Sequence, residues 1–191
     1  MEKNYIEEES FTNINFAEIE LLGHDYENCR FFNCNFSNAN LSAINFIDCE
    51  FNVCNFSLTN LTSTGMRDIK FNDCKLLGLH FNTCNNFLFA VSFNNCVLQL
   101  SSFYKLKIKK TIFRSTQLQE VDFTEADLSG SVFENCDLYK TIFQKTILQK
   151  VDFRTAINYS INPEQNNIKK AKFSLPDVVG LLNNYDIEIH T

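Results

Sequence analysis

The chain has no tryptophan, and among its 191 residues there are only five glycines, two prolines and three histidines. So few glycines leave no glycine-rich phosphate loop, and neither a nucleophile elbow nor a metalloprotease motif is present. The histidines are too scattered for a catalytic group: the five-residue pattern described below puts His24 in an inward slot of the first coil and His80 on an outward position, and His190 lies in the tail. Acids are isolated from one another, so no paired-carboxylate site is visible. Catalytic, cofactor and metal residues are therefore all expected to be absent. No run approaches the roughly 18 apolar residues of a membrane span. Met1–Ser10 is acidic and has neither the basic start nor the apolar stretch of a secretory leader, which gives a cytoplasmic protein as the expectation.

Charge is unevenly spread around a formal net of −6. Glu2, Glu7, Glu8, Glu9, Glu18, Glu20, Asp25 and Glu27 face only Lys3 within residues 1–28, whereas Lys105, Lys107, Lys109 and Lys110 form a basic cluster further on. The acidic excess disfavours direct nucleic-acid binding because the long-range field repels phosphates. The lysine cluster reads as a solvated face.

What the chain has in abundance is phenylalanine, 20 residues of it, and it recurs with a period. Every fifth residue from Phe11 through Phe31, Leu41, Phe51, Leu61 and Phe71 to Phe81 is large and apolar. The register then slips by two residues near Asn85–Phe87, with Asn86 and Phe87 as the bulge, and resumes at Leu88 to run through Phe93 and Phe113 to Phe153. Two residues before each centre lies a second interior slot, held by small or branched residues such as Ile14, Ile19, Cys34, Ala39, Thr59, Val121 and Ala156. A period of five fits neither a helix at 3.6 nor a strand at 2. It demands a backbone that turns a corner every five residues, presenting one large and one small side chain inward.

This pattern resembles the pentapeptide-repeat family, written loosely A-(D/N)-L-X-X, through Ala126-Asp127-Leu128-Ser129-Gly130, Ala39-Asn40-Leu41 and Cys34-Asn35-Phe36. The resemblance covers about residues 9–173. It implies an all-β, right-handed quadrilateral parallel β-helix with four repeats per coil, and about seven to eight coils in a rod roughly 35 Å long. Residues twenty apart should then share a column, or twenty-two apart across the slip. Phe31, Phe51, Phe71, Phe93, Phe113, Phe133 and Phe153 form such a core column, extended by Phe11 and Phe173. The expected division is a lead or cap over 1–10, the β-helix over 11–173 and a capping helix with tail over 174–191. Ser174 and Pro176 open that short C-terminal helix, Leu175, Val178, Val179 and Leu182 share one face of it, and Ile187–Ile189 adds a small strand.

The eight cysteines (Cys29, Cys34, Cys49, Cys54, Cys74, Cys84, Cys96 and Cys136) all fall in the small-residue slot that Ala, Thr, Ser and Val fill elsewhere. They read as core residues, neither metal ligands nor disulfide partners. Function is expected to be protein binding without catalysis. The chain is similar to the Qnr-type and MfpA-type members of the family in its Phe- and Cys-rich coils, Phe32-Asn33-Cys34-Asn35-Phe36 and Phe133-Glu134-Asn135-Cys136-Asp137-Leu138. That resemblance implies DNA gyrase or topoisomerase IV as partner, an effect on quinolone sensitivity, and a homodimer contact through Leu175, Val178, Val179, Leu181 and Leu182. The charge map favours the alternative, an interaction scaffold with an unrelated protein partner, because a DNA mimic should be acidic along its length.

Overall fold

A chain that turns a corner every five residues has space for only about three extended residues between corners, and the strands are correspondingly short. The computed structural model describes residues 5–19, 21 and 25–190. Within them, strands of three or four residues build two parallel sheets. One stacks Tyr5–Glu7, Asp25–Glu27, Asn45–Ile47 and Gly65–Arg67. The other runs Ser10–Thr12, Arg30–Phe32, Glu50–Asn52, Ile69–Asn72, Val91–Asn94, Ile112–Arg114 and Val132–Glu134. Isolated parallel bridges such as Asn15 with Asn35 and Asn40 with Asn60 mark the remaining two sides. The result is an all-β parallel solenoid.

Two features of the five-residue unit make the corner. The residue before the centre is often Asn or Asp, and its side chain accepts a hydrogen bond from the backbone two residues on. Asn35 Oδ1 accepts from the Ser37 N–H at 3.1 Å, and Asp122 Oδ1 from the Thr124 N–H at 2.9 Å. The residue two beyond most centres then adopts a left-handed backbone: φ is 51° at Asn33, 57° at Val53, 60° at Leu58 and 59° at Lys150. Its N–H finds a carbonyl in the next coil, as Asn33 N–H does on Asn52 at 2.9 Å. The left-handed conformation is disfavoured for L-residues by about 1–2 kcal/mol each, and coil-to-coil bonding at every corner holds it.

Register is set by the Phe column. Phe11 pairs with Phe31, Phe51 with Phe71, Phe71 with Phe93 and Phe113 with Phe133. Neighbouring rings stack throughout, at centroid separations of 4.8 Å for Phe11 and Phe31, 5.3 Å for Phe51 and Phe71, 5.5 Å for Phe71 and Phe93, and 5.4 Å for Phe153 and Phe173. Two shorter ladders meet this column edge-on. Phe16, Phe36 and Phe56 flank its first half, and Phe81, Phe103, Phe123 and Phe143 its second. All eight cysteines are buried and free. The thiols of all but Cys84 point at backbone carbonyls, as Cys54 Sγ does toward Phe31 at 3.5 Å and Asn52 at 3.3 Å.

The structure departs from the period in several places. Leu88 does not resume the inward register: it is 64% exposed and sits at a left-handed corner. Asn85 still pairs with Gly65, so the two extra residues enter after Asn86, and the chain rejoins the sheet where Val91 pairs with Ile69. With Asn86 turned out, Phe89 packs against the core in its place, its ring 6.4 Å from Phe81. Ile19 is 56% exposed, because its terminal coil is covered from one side only. Tyr5–Glu7 pairs with Asp25–Glu27, so sheet hydrogen bonding begins inside the segment read as a lead. Beyond Ala156, Asn158 turns outward and Tyr159 and Ile161 are buried instead. The C-terminal helix is a single 3-10 segment, Asp177–Leu181, and residues 187–189 form no strand. His24 lies outside the described residues.

Candidate binding surface

With the interior filled by rings and thiols, any function rests on the outward positions. Burial pushes the Cys49, Cys84 and Cys136 thiols up to about 12. The Cys74 thiol is raised further, because it shares hydrogen bonds with Cys54 and Cys96 as well as being buried. Protonated, buried thiols are poor nucleophiles and poor metal ligands. Among the described residues no three His, Cys, Asp or Glu side chains gather in a metal-holding group, and no helix is long and apolar enough to cross a membrane. His80 is exposed on the outer surface and His190 lies in the tail near Glu188.

The outer sides of the early coils are paved with side-chain amides. Asn35 Nδ2 donates to Asn15 at 2.9 Å, Asn60 to Asn40 at 2.9 Å, Asn72 to Asn52 at 3.0 Å and Asn45 to Asp25 at 2.7 Å. Each ladder spans one coil, so these sides are flat and their hydrogen-bonding capacity is largely satisfied along the rod axis. Ion pairs become more frequent in the later coils: Arg114 with Glu134 at 2.8 Å, Lys109 with Asp127 at 3.1 Å and Arg154 with Asp152 at 2.7 Å. The Lys109 and Ser129 contacts hold the Asp127 carboxyl below the usual carboxylate range against the opposing effect of burial.

The bulge breaks this smooth exterior. Behind it opens a groove of about 600 Å³ lined by Asp68, Lys70, Phe89, Val91, Lys107 and Lys110. Phe87 projects from the bulge, 63% exposed, with the Arg67 guanidinium 5.1 Å from its ring centroid. Part of the lysine cluster thus lines a depression at a fold irregularity. The sequence pattern placed both features but not their juxtaposition; the spacing from Phe87 to Lys109, twenty-two residues and so one coil across the slip, is the signal that joins them.

The tail residues divide between inside and outside. Leu181 packs against the core and Val178 is partly buried, whereas Leu175 is 87% exposed and Val179 and Leu182 are also exposed. Ser174 Oγ accepts the Asp177 N–H at 3.2 Å and donates to the Asp177 carboxylate at 2.6 Å, capping the segment. Gly180 lies directly on Tyr159, where a Cβ would come 2.3 Å from the Tyr159 carbonyl oxygen, and its own carbonyl accepts the Ile161 N–H at 3.0 Å. That contact fastens the segment over the end of the rod.

A family profile described as a pentapeptide repeat region matches residues 24–86 and 87–174. Among solved structures, a trypsin-treated variant of QnrB1, a plasmid-mediated fluoroquinolone resistance protein, is similar at 17% identity and a TM-score of 0.49, covering 100% of this chain and 96% of that one. Full-length QnrB1 is similar at 18% identity and a TM-score of 0.48, covering 96% and 100%. HetL, a pentapeptide repeat protein involved in heterocyst differentiation regulation from the cyanobacterium Nostoc, is similar at 16% identity and a TM-score of 0.35, covering 90% and 87%. No curated protein matches the sequence.

Proposed function

The chain belongs to the pentapeptide-repeat family, and on that footing we propose that it is a non-enzymatic protein-binding rod whose partner is DNA gyrase or topoisomerase IV. The observation that carries the protein-binding reading is the exterior itself. Flat sides of hydrogen-bonded Asn ladders run along a rigid, fully packed core, and the described residues offer no metal-holding group to a reaction. Such a rod presents long planar surfaces to another macromolecule. The choice of partner comes from the resemblance of the Phe- and Cys-rich coils to Qnr-type sequences, with an effect on quinolone sensitivity as its consequence. Under the same reading, Leu175, Val179 and Leu182 form a tail-to-tail homodimer contact, with Val178 and Leu181 supporting them from beneath.

A second reading is favoured by one observation. Residues 101–172 carry twelve Lys and Arg against eight Asp and Glu, so this half of the rod does not present the acidic exterior of a DNA mimic. An interaction scaffold with an unrelated protein partner fits that charge map. Supercoiling by purified gyrase with and without ciprofloxacin separates the two. Protection of supercoiling supports the topoisomerase reading. No binding and no change in supercoiling removes it and leaves the scaffold.

A further inference from the structure

One edge of the rod changes sign at the bulge. The edge consists of the corner residues that precede the longer sheet, aligned coil upon coil. The Glu8 N–H bonds the Glu27 carbonyl, Asn28 that of Ile47 and Asp48 that of Arg67. On the far side Lys110 bonds Ser129, Gly130 bonds Gln149 and Lys150 bonds Lys169. Before the bulge this edge carries Glu7, Glu8, Glu27, Asp48, Glu50 and Asp68 against Arg30, Arg67 and Lys70. After it come Lys109, Lys110, Lys150, Lys169, Lys170 and Lys172 against Asp152 alone. Some of these charges are already engaged along the rod, as Lys70 is with Glu50 and Lys172 with Asp152. Glu8, Asp48 and Asp68 on one side, and Lys110, Lys150 and Lys170 on the other, are exposed corner residues outside those pairs.

The two halves are also matched in distance. With coils stacked about 4.8 Å apart, Asp68 lies one coil before the bulge and Lys110 one coil after it. Asn28 and Glu27 lie three coils before and Lys150 three after; Glu7 and Glu8 lie four before, and Lys169 and Lys170 four after. At the centre the bulge projects two large apolar side chains, Phe87 and Leu88, 63% and 64% exposed.

We infer that this edge is a self-complementary surface and that its occupant is a second copy of the chain, lying antiparallel, with the two-fold axis through the bulge. A two-fold interface requires that residue i of one copy meet j of the other while j meets i. Rotation about the bulge satisfies this: Asp68 faces Lys110, the Glu27 and Asn28 corner faces Lys150, and Glu7 and Glu8 face Lys169 and Lys170. Phe87 and Leu88 of the two copies meet on the axis, which removes from water the apolar group that the bulge pushes out. A parallel arrangement would set like charges against like, so the edge selects one orientation as well as one partner. An edge about 40 Å long and one corner wide buries an area near the lower limit for a specific interface. The association is therefore a reversible, salt-sensitive one. This surface is separate from the tail contact and does not depend on which other protein the rod binds.

Sedimentation velocity on the full chain tests it. The wild type should form a discrete dimer at about 20 mM salt, weakened at least tenfold at about 0.5 M as surface charges are screened. Two variants, Lys110→Glu/Lys150→Glu/Lys170→Glu and Glu8→Lys/Asp48→Lys/Asp68→Lys, each also carrying Leu175→Asp/Val179→Asp to remove the tail contact, should each be monomeric alone and should form a heterodimer when mixed. All six charge-reversed positions are exposed, and circular dichroism confirms that each variant is folded. Phe87→Cys, with the tail contact removed by the same Leu175→Asp/Val179→Asp pair, should cross-link to itself under mild oxidation. A wild type that is monomeric throughout at about 200 μM, a dimer indifferent to both charge reversals, or failure of the two variants to pair would overturn the inference. None of these results bears on gyrase binding, which the supercoiling assay reads separately.

Discussion

Phe113 and Phe133 lie one coil apart with ring centroids 4.8 Å from each other and planes only 3° from parallel. Both are wholly buried, and Phe93 and Phe153 continue the stack on either side. Consecutive coils touch each other through such rings and share no contact with distant ones, so the column is the thread of the rod. Phe113→Ala should destabilise it by about 3–5 kcal/mol, the usual loss for a buried Phe truncated to Ala. Urea unfolding followed by circular dichroism measures this. A loss below about 1 kcal/mol would mean that the column fills space without holding the coils together.

The thiols give a prediction in pH. Cys49, Cys84 and Cys136 are raised to about 12 by burial, above the usual thiol value near 9. Between those values the unfolded chain has lost these protons and the folded chain has kept them, so stability falls as pH rises through that window. Below pH 8 the same groups should contribute no slope. Thermal unfolding from pH 7 to 11 should show a plateau and then a decline, and Cys49→Ala/Cys84→Ala/Cys136→Ala should flatten the decline. In the native protein a thiol-specific reagent at pH 8 should label none of the eight cysteines until the chain is unfolded.

Gly180 is replaceable only at the expense of the end cap. A Cβ there would meet Tyr159 backbone and ring atoms at 2.3 to 2.8 Å. Gly180→Ala should therefore cost about 1–3 kcal/mol as overpacking, and it should lose amide-exchange protection at Ile161, whose N–H bonds the Gly180 carbonyl. Unchanged protection at Ile161 would show that the cap contact is not formed in solution.

The bulge can be removed in a way that decides its register. Deleting Asn85 and Asn86 would carry Leu88 into the column between Met66 and Ile108 and leave Val91 in its slot. Burial of that leucine, worth about 1.5–3 kcal/mol, offsets the return of Phe89 to an outer position, so stability should change by less than about 2 kcal/mol in either direction. The Phe87 and Leu88 deletion instead places Asn86 in the core and should be the more damaging of the two. Equal melting temperatures for the two deletions would contradict the register described above.

The same region shows where sequence pattern stops being sufficient. Phe31 through Phe153 and the eight cysteines were legible because each position repeats at a fixed interval and has one chemical character. At the slip two registers were available, and a large apolar residue stood ready for both: Leu88 continues the period, and Phe89 is one step off it. The choice was made by the backbone, since Asn85 keeps its pairing to Gly65 and its side chain accepts the Phe87 N–H at 3.0 Å, completing a normal corner before the extra residues enter. Ile6 was missed for a different reason, as acidic neighbours disguise a strand whose pairing partners are twenty residues away. Leu175, Val178, Val179 and Leu182 share a helical face in sequence, but with the 3-10 turn and Gly180 seated on Tyr159 it is Leu181 that packs inward, and Leu175 is left out.

The left-handed corners bear on how far this protein stands from its own ceiling of stability. Asparagine or glycine fits such a backbone with little strain, yet Val53, Leu58, Leu100, Lys105 and Lys150 all hold it. Because each coil answers only to its neighbours, relief at one corner is independent of relief at another. The chain thus carries a reserve that can be drawn on corner by corner, without altering the core and without choosing among partners.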